Sequence, residues 1–108
     1  MVTAVDTHEV LAELKAGLSA LYGQRLRGFY LFGSYARGQE GAESDFDILI
    51  VLDTFSRVSE EVRRTGVLVS ACSLKHGVSI SRTFLREREW QSADTPLVRN
   101  VRPEAIPA

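Results

Sequence analysis

Two short motifs hold the residues of this sequence that are best suited to chemistry, and the first contains a pair of acids. Asp45 and Asp47 flank Phe46 at the start of an apolar run that ends at Leu52. The composition of this run predicts a buried strand. Since side chains alternate across a strand, the two carboxylates should project from one face, about 7 Å apart at the backbone. Carboxylate oxygens suit Mg²⁺, which usually completes its shell with water and substrate phosphates. Two such ions can stabilise the attacking and leaving oxygens of a displacement at phosphorus.

The second motif is Gly33-Ser34, which directly follows an apolar segment over residues 25–32. Glycine allows a sharp turn and a close approach of the backbone to a ligand. We expect Ser34 to open a short helical turn that ends at Gly38. Free N–H groups at such a turn, together with a hydroxyl, suit a phosphate group. The sequence therefore predicts a phosphate site facing a metal site.

Each motif also has an ordinary structural explanation when it is taken alone. A Gly-Ser pair after a strand is usually just a turn. An Asp-x-Asp at the start of a strand commonly forms local hydrogen bonds in solvent. The two motifs occur together between two predicted strands, with ten residues between Ser34 and Asp45, and this combination favours a functional interpretation.

This spacing resembles the signature of the DNA polymerase beta-like nucleotidyltransferase superfamily, above all its smallest members, the minimal nucleotidyltransferases. The resemblance implies that Asp45 and Asp47 bind Mg²⁺ in a two-ion site and that Gly33 and Ser34 hold the β- and γ-phosphates of ATP. Arg37 is a further candidate for the triphosphate. The residues that match the family pattern are Gly33, Ser34, Ala36, Arg37, Gly38, Ser44, Asp45, Asp47 and Ile48.

For Arg37 a different interpretation remains open. An exposed arginine in a surface turn is as readily solvated, or paired with Glu40 or Glu43, as bound to a ligand.

The resemblance also implies a partner protein. Minimal nucleotidyltransferases are typically encoded with an all-helical HEPN protein that resembles an RNase, and the pair works as a toxin–antitoxin system. The expected reaction is transfer of AMP from Mg-ATP to a hydroxyl of that toxin, a tyrosine in some systems, which neutralises it. One alternative is an inactive antitoxin that inhibits its partner by binding alone. Another is a nucleotide sensor or small-molecule transferase that acts as a homodimer.

The sequence departs from the fuller family pattern in one respect. Many members carry a third carboxylate on a neighbouring strand, but the polar face of the predicted third strand offers Ser79, Ser81 and Thr83. None of these is a base at neutral pH. Glu87 and Glu89 follow that strand and could reach back, although charged residues of a short surface helix are ordinarily solvated. Two aspartates alone would then have to support activity.

Composition indicates a single domain over residues 1–108. The chain has 13 Lys and Arg against 14 Asp and Glu, so no overall basic field points to direct nucleic-acid binding. Cys72 is the only cysteine and is expected to be a small buried side chain. Neither a membrane-spanning segment nor a signal peptide is evident, and a cytoplasmic location is expected.

The expected architecture is α/β (α+β): a small mixed β-sheet of three to four strands with helices packed mainly on one face, as in the nucleotidyltransferase fold. A capping box from Asp6 to Glu9 should begin the first helix, and Gly23 should end it. Later in the chain, apolar spacing predicts one long second helix whose outer face carries solvated charges, including Glu61. The remaining expected segments are a third strand over residues 78–85, a short helix over 86–93 and a frayed tail over about 102–108.

One face of the acid-bearing strand needs cover. Leu49 and Val51 follow Asp47 on the same face. Either the segment around Trp90 and Leu97 folds over them, or a partner does.

Overall fold

The computed structural model describes residues 5–41, 44–92 and 94–108 and contains a mixed four-stranded sheet, as the sequence predicts. The strand order is β3-β2-β1-β4, in which β2 runs antiparallel to β1 and parallel to β3, and β4 runs antiparallel to β1. The strands are β1 (Leu26–Phe32), β2 (Phe46–Leu52), β3 (Ile80–Arg86) and β4 (Ile106–Pro107). The helices are α1 (Thr7–Tyr22), α2 (Gly33–Arg37), α3 (Val58–Arg64), α4 (Gly66–His76), α5 (Glu87–Ser92) and α6 (Pro96–Val101), with a short 3₁₀ turn (Gly23–Arg25) after α1.

Helix α1 begins and ends where the sequence predicts. The Asp6 carboxylate accepts a hydrogen bond from the Glu9 backbone N–H at 3.2 Å, and Gly23 follows the last turn with a φ of 56°. The apolar stripe of α1 packs on the sheet face formed by alternate residues of β2. The buried residues of this stripe are Val10, Leu14, Leu18 and Tyr22.

Strand β2 is buried on both faces and is the centre of the molecule. Its second face carries Leu49 and Val51, and both are completely or almost completely buried. They pack with Val98 and Val101 of α6, and Trp90 of α5 adds cover. The C-terminal segment therefore supplies the cover that the sequence requires, without a partner. Val98 rather than Leu97 faces this core, since Leu97 stays 41% exposed.

The prediction of one long second helix is wrong, because the helix is interrupted at Thr65 between α3 and α4. The Thr65 hydroxyl donates to the Glu61 carbonyl at 2.9 Å. Arg82 of β3 donates to the Val62 carbonyl and to the Thr65 hydroxyl oxygen, each at 2.9 Å. Side chains thus donate to backbone carbonyls at this turn, in the case of Glu61 alongside the Thr65 N–H at 3.1 Å. Gly66, a poor helix former, follows directly.

Glu61 is also misassigned by the helical pattern, since it is only 2% exposed rather than solvated. Its carboxylate accepts a hydrogen bond from the Tyr22 hydroxyl at 2.8 Å and is paired with Arg64 at 3.2 Å. Burial and the neighbouring carboxylate raise the pKa of Tyr22, so its hydroxyl remains a donor at neutral pH. This contact joins the end of α1 to α3.

The junction of α1 with α4 contains the single thiol. Cys72 is 4% exposed, as predicted, and its Sγ lies 3.8 Å from Glu13 Oε2. The same carboxylate accepts hydrogen bonds from Lys75 and, at 3.1 Å, from His76. These bonds hold the pKa of Glu13 below its ordinary value. No described helix is both long and apolar enough to cross a lipid bilayer.

The expectation of a frayed tail over residues 102–108 is wrong as well. Residues Leu31 and Ile106 are paired, Tyr30 and Pro107 are paired, and the Ala108 N–H donates to the Phe29 carbonyl at 2.9 Å. The reason is the edge of β1, whose unpaired backbone groups offer hydrogen bonds to a further strand. A terminal segment is ordered when the sheet ties it down.

We predict that Tyr22→Phe lowers the free energy of unfolding by about 1–3 kcal/mol, because it removes a buried donor from the Glu61 carboxylate. Tyr30→Phe is the matched control, since within the described residues its hydroxyl bonds no carboxylate. Urea denaturation at pH 7 measures both. Equal stability of the two variants would contradict this role for Tyr22.

Candidate active site

The Gly33 backbone lies directly against the Asp47 carboxylate. The β1–β2 ladder pairs Phe32 with Asp47, and the chain then turns at Gly33 into α2. Gly33 has a φ of 75°, and a Cβ added there would lie 2.2 Å from Asp47 Oδ2. A side chain at this position would therefore require Asp47 or the turn to move. The structure thus brings the predicted phosphate turn and one predicted metal ligand into contact.

Helix α2 holds this turn between the two strands. Ser34 is its second residue and is half-buried, and its carbonyl accepts from the Gln39 N–H at 2.9 Å. The helix ends at Gly38 with a φ of 69°. The Tyr35 ring packs on Phe46, with ring centroids 4.9 Å apart. Tyr35 therefore ties the turn to the core beside the acids.

The two aspartates lie at the same end of the sheet. Asp47 is the half-buried second residue of β2, and Asp45 is exposed just before the strand. Burial raises the pKa of the Asp47 carboxyl, the charges of Asp45 and Glu104 raise it further, and Arg37 lowers it. The pair is thus close enough for mutual repulsion, which a bound cation would relieve.

The strand next to β2 carries no carboxylate at the position beside Asp47, where many family members have a third acid. The parallel register pairs Asp47 with Ser81 of β3, so a hydroxyl occupies the neighbouring position. Neither glutamate that follows β3 reaches the site. Glu87 is paired with Arg27 at 3.8 Å, and Glu89 is paired with Arg86 at 3.1 Å. Across residues 5–41, 44–92 and 94–108, no three Asp, Glu, His or Cys side chains are grouped to hold a metal ion.

A carboxylate that sequence reasoning missed lies at the phosphate turn instead. Glu104 Oε1 accepts from the Gly33 N–H at 3.1 Å, and Oε2 accepts from Arg37 Nη1 at 2.8 Å. No local pattern could reveal this contact, because 71 positions separate Gly33 from Glu104 in the chain. Arg37 is therefore paired, but with Glu104 rather than with Glu40. The other expected partner, Glu43, lies outside the described residues.

The donor set fits a hard divalent cation. Asp45 and Asp47 offer carboxylate oxygens and no nitrogen or sulfur ligand, which is the chemistry of a Mg²⁺ site. Two protein carboxylates leave most of the coordination shell to water and substrate phosphates. The neighbouring Gly33 N–H and the Arg37 guanidinium are suited to an anion. The arrangement can therefore bind a metal–phosphate complex.

A match to a protein family and the similarity to two relatives both concern nucleotidyltransferases or adenylyltransferases. Residues 11–100 match the family described as "Nucleotidyltransferase domain". Two relatives come from Methanocaldococcus jannaschii. One is named "Putative protein adenylyltransferase MJ0141"; it is 36% identical over 73 residues, which cover 68% of this chain and 73% of the relative. The other is named "Putative protein adenylyltransferase MJ0604"; it is 37% identical over 78 residues, which cover 71% of each chain.

Solved structures share the fold. One is described as "Crystal structure of the toxin-antitoxin with AMP-PNP"; it matches 94% of this chain and 72% of its own, with a TM-score of 0.66 and 20% identity. A mutant of the toxin–antitoxin MntA-HpeT matches 95% of this chain and 72% of its own, with a TM-score of 0.64 and 17% identity. The family match spans most of the chain, and the sheet has the same fold as these structures. The chain is a member of the nucleotidyltransferase domain family.

Proposed function

We propose that this chain is an antitoxin-type nucleotidyltransferase that transfers AMP from Mg-ATP to a hydroxyl, a tyrosine hydroxyl in particular, of a HEPN RNase toxin. The observation that carries the proposal is the contact of the Gly33 backbone with the Asp47 carboxylate. It joins an anion-binding turn to a metal-binding acid, which is what a metal–triphosphate substrate requires. The names of the two archaeal relatives support a protein acceptor.

Each site residue has a role in this proposal. Asp45 and Asp47 would hold Mg²⁺ in a two-ion site. Gly33 and Ser34 would bind the β- and γ-phosphates through the backbone and the hydroxyl, and Arg37 would bind the triphosphate through its guanidinium. The bound metal would neutralise phosphate charge in the transition state.

The chemistry is a displacement at the α-phosphorus of ATP. The acceptor oxygen forms a bond to this phosphorus, the bond to the bridging oxygen of the β-phosphate breaks, and pyrophosphate leaves. The hydroxyl proton passes to solvent. Because positioning and charge stabilisation dominate such reactions, the absence of a third carboxylate beside Asp47 is compatible with activity. The requirement for ATP favours the cytoplasm as the location.

The partner is proposed from two lines of support. The two solved structures compared above are described as toxin–antitoxin proteins, and the motif resembles nucleotidyltransferases that act with HEPN toxins. A homodimer acting on a small molecule is the weaker possibility.

A second candidate function is an antitoxin that inhibits its partner by binding alone. Ser81 in place of an acid next to Asp47 is the observation in its favour.

Replacement of both acids distinguishes these candidates. We predict that Asp45→Asn/Asp47→Asn lowers transfer of label from α-labelled ATP to the co-encoded toxin by at least about 100-fold, because the carboxylates that would hold the phosphate-neutralising metal ion are lost. Asp53→Asn is the matched control, since Asp53 lies at the far end of β2, bonded to Arg25 at 3.1 Å. Toxin neutralisation that persists in the double variant without label would favour inhibition by binding. ATP turnover by the protein alone would favour a small-molecule acceptor.

The close approach at Gly33 is testable by a single methyl group. We predict that Gly33→Ala lowers transfer activity by about 10- to 100-fold, because the new Cβ displaces Asp47 or the turn. Gly38→Ala is the matched control: its φ of 69° is equally unfavourable for alanine, but none of the described residues has an atom within 4 Å of the added Cβ.

Both variants should lose about 1 kcal/mol of stability from the left-handed backbone. Thermal unfolding and a labelled-ATP assay separate this common effect from the local one. Equal activity of the two variants would contradict the role of the Gly33–Asp47 contact.

A further inference from the structure

The Glu104 carboxylate occupies the donors that the proposed function assigns to phosphate. One oxygen accepts from the Gly33 N–H at 3.1 Å and the other from the Arg37 guanidinium at 2.8 Å. These bonds lower the pKa of Glu104, so the side chain is an anion at neutral pH. A carboxylate with two charge-assisted bonds of this kind offers anionic oxygens to the same donors that a phosphate would use.

A triphosphate cannot bond to the Gly33 N–H while Glu104 holds it, because this group has one hydrogen to donate. Glu104 also takes one N–H of Arg37, and an anionic carboxylate beside an anionic triphosphate costs free energy through repulsion. We propose that Glu104 is an internal competitor of the nucleotide, an autoinhibitory contact that must open before the triphosphate binds. This inference rests on the proposed function, since that function assigns the Gly33 N–H and Arg37 to phosphate.

The surrounding segment is built to allow the opening. Glu104 lies between α6, whose Val101 is buried, and the two-residue strand β4. Its backbone N–H donates to the Val101 carbonyl at 3.1 Å within a turn. Two residue pairs join β4 to β1, the Ala108 N–H adds one bond to the Phe29 carbonyl, and Ile106 remains 45% exposed. A short, weakly buried edge segment opens at a lower free-energy cost than the core.

The contact also bears on the charge at the site. Asp47 experiences the negative charges of Asp45 and Glu104 and the positive charge of Arg37. When Glu104 leaves, Arg37 is released for the phosphates, and the site gains a cation together with the nucleotide. A role for Glu104 as a metal-binding acid is less consistent with the geometry, because each of its oxygens faces an N–H donor.

The test is the affinity for Mg-ATP, measured by calorimetry at fixed ionic strength. We expect Glu104→Gln to bind Mg-ATP up to about 5-fold more tightly than the unsubstituted protein, which corresponds to about 1 kcal/mol, the upper end of the range for an exposed ion pair. Glu87→Gln is the matched control: it removes the same charge from a glutamate that pairs with Arg27 at 3.8 Å. This control should bind Mg-ATP like the unsubstituted protein.

A second measurement needs no substitution and therefore still tests the proposal if Glu104→Gln disturbs folding. The amide resonance of Gly33, followed by NMR in the unsubstituted protein, should shift on addition of Mg-ATP, and resonances of the β4 segment should shift with it. Gly33 shifts without any change at residues 104–108 would overturn the proposal.

The remaining outcomes separate the two proposals. Equal affinity of Glu104→Gln and Glu87→Gln would overturn the competitor role and leave the proposed function intact, provided that Asp45→Asn/Asp47→Asn loses Mg-ATP binding. Weaker binding by Glu104→Gln would show that Glu104 assists the nucleotide, and this also overturns the competitor role. No binding by any of these proteins would overturn both proposals.

Discussion

The site depends on one contact, that between the Gly33 backbone and the Asp47 carboxylate. Strands β1 and β2 bring Phe32 opposite Asp47, and one residue later the chain must leave the sheet without striking that acid. Glycine solves both parts of this problem, because it tolerates the positive φ and contributes no Cβ. The ladder therefore sets the distance between the anion-binding turn and the acids. A shift of register by one residue would turn Asp47 to the opposite face, into the core beneath α1.

Strand β2 can carry these acids because the rest of it is buried so completely. Its residues from Ile48 to Leu52 are at most 1% exposed, and helices cover both faces. Apolar burial on this scale is the main favourable term in folding. It offsets the partial desolvation of Asp47 and its repulsion by Asp45 at the start of the strand. The site thus lies at the charged end of an otherwise well-packed element.

Local patterns were enough to predict much of the fold. Alternation in β2, the apolar stripe of α1 and its capping box each depend on neighbours along the chain, and all three are confirmed. The mixed sheet is confirmed too, and family membership follows the motif from Gly33 to Asp47. The assignment of roles to the individual site residues remains a prediction.

What local patterns missed was decided by distant neighbours. Glu61 has the sequence environment of a solvated helix residue, but Tyr22, 39 positions away, provides the donor for its buried carboxylate. The interruption at Thr65 depends on Arg82 of β3. Glu104 belongs to a segment whose composition indicates fraying, and the free edge of β1 orders that segment. In each case a tertiary hydrogen bond overrides a correct local preference.

The burial of Cys72 between α1 and α4 has a practical consequence. Because this is the only sulfhydryl of the chain and burial raises its pKa, alkylating reagents will react slowly while the two helices remain in contact. The alkylation rate then reports how often α4 detaches from α1. It is not expected to respond to opening of α6 on the opposite face of the sheet. A labelling time course would therefore follow local opening on one side of the molecule without any engineered probe.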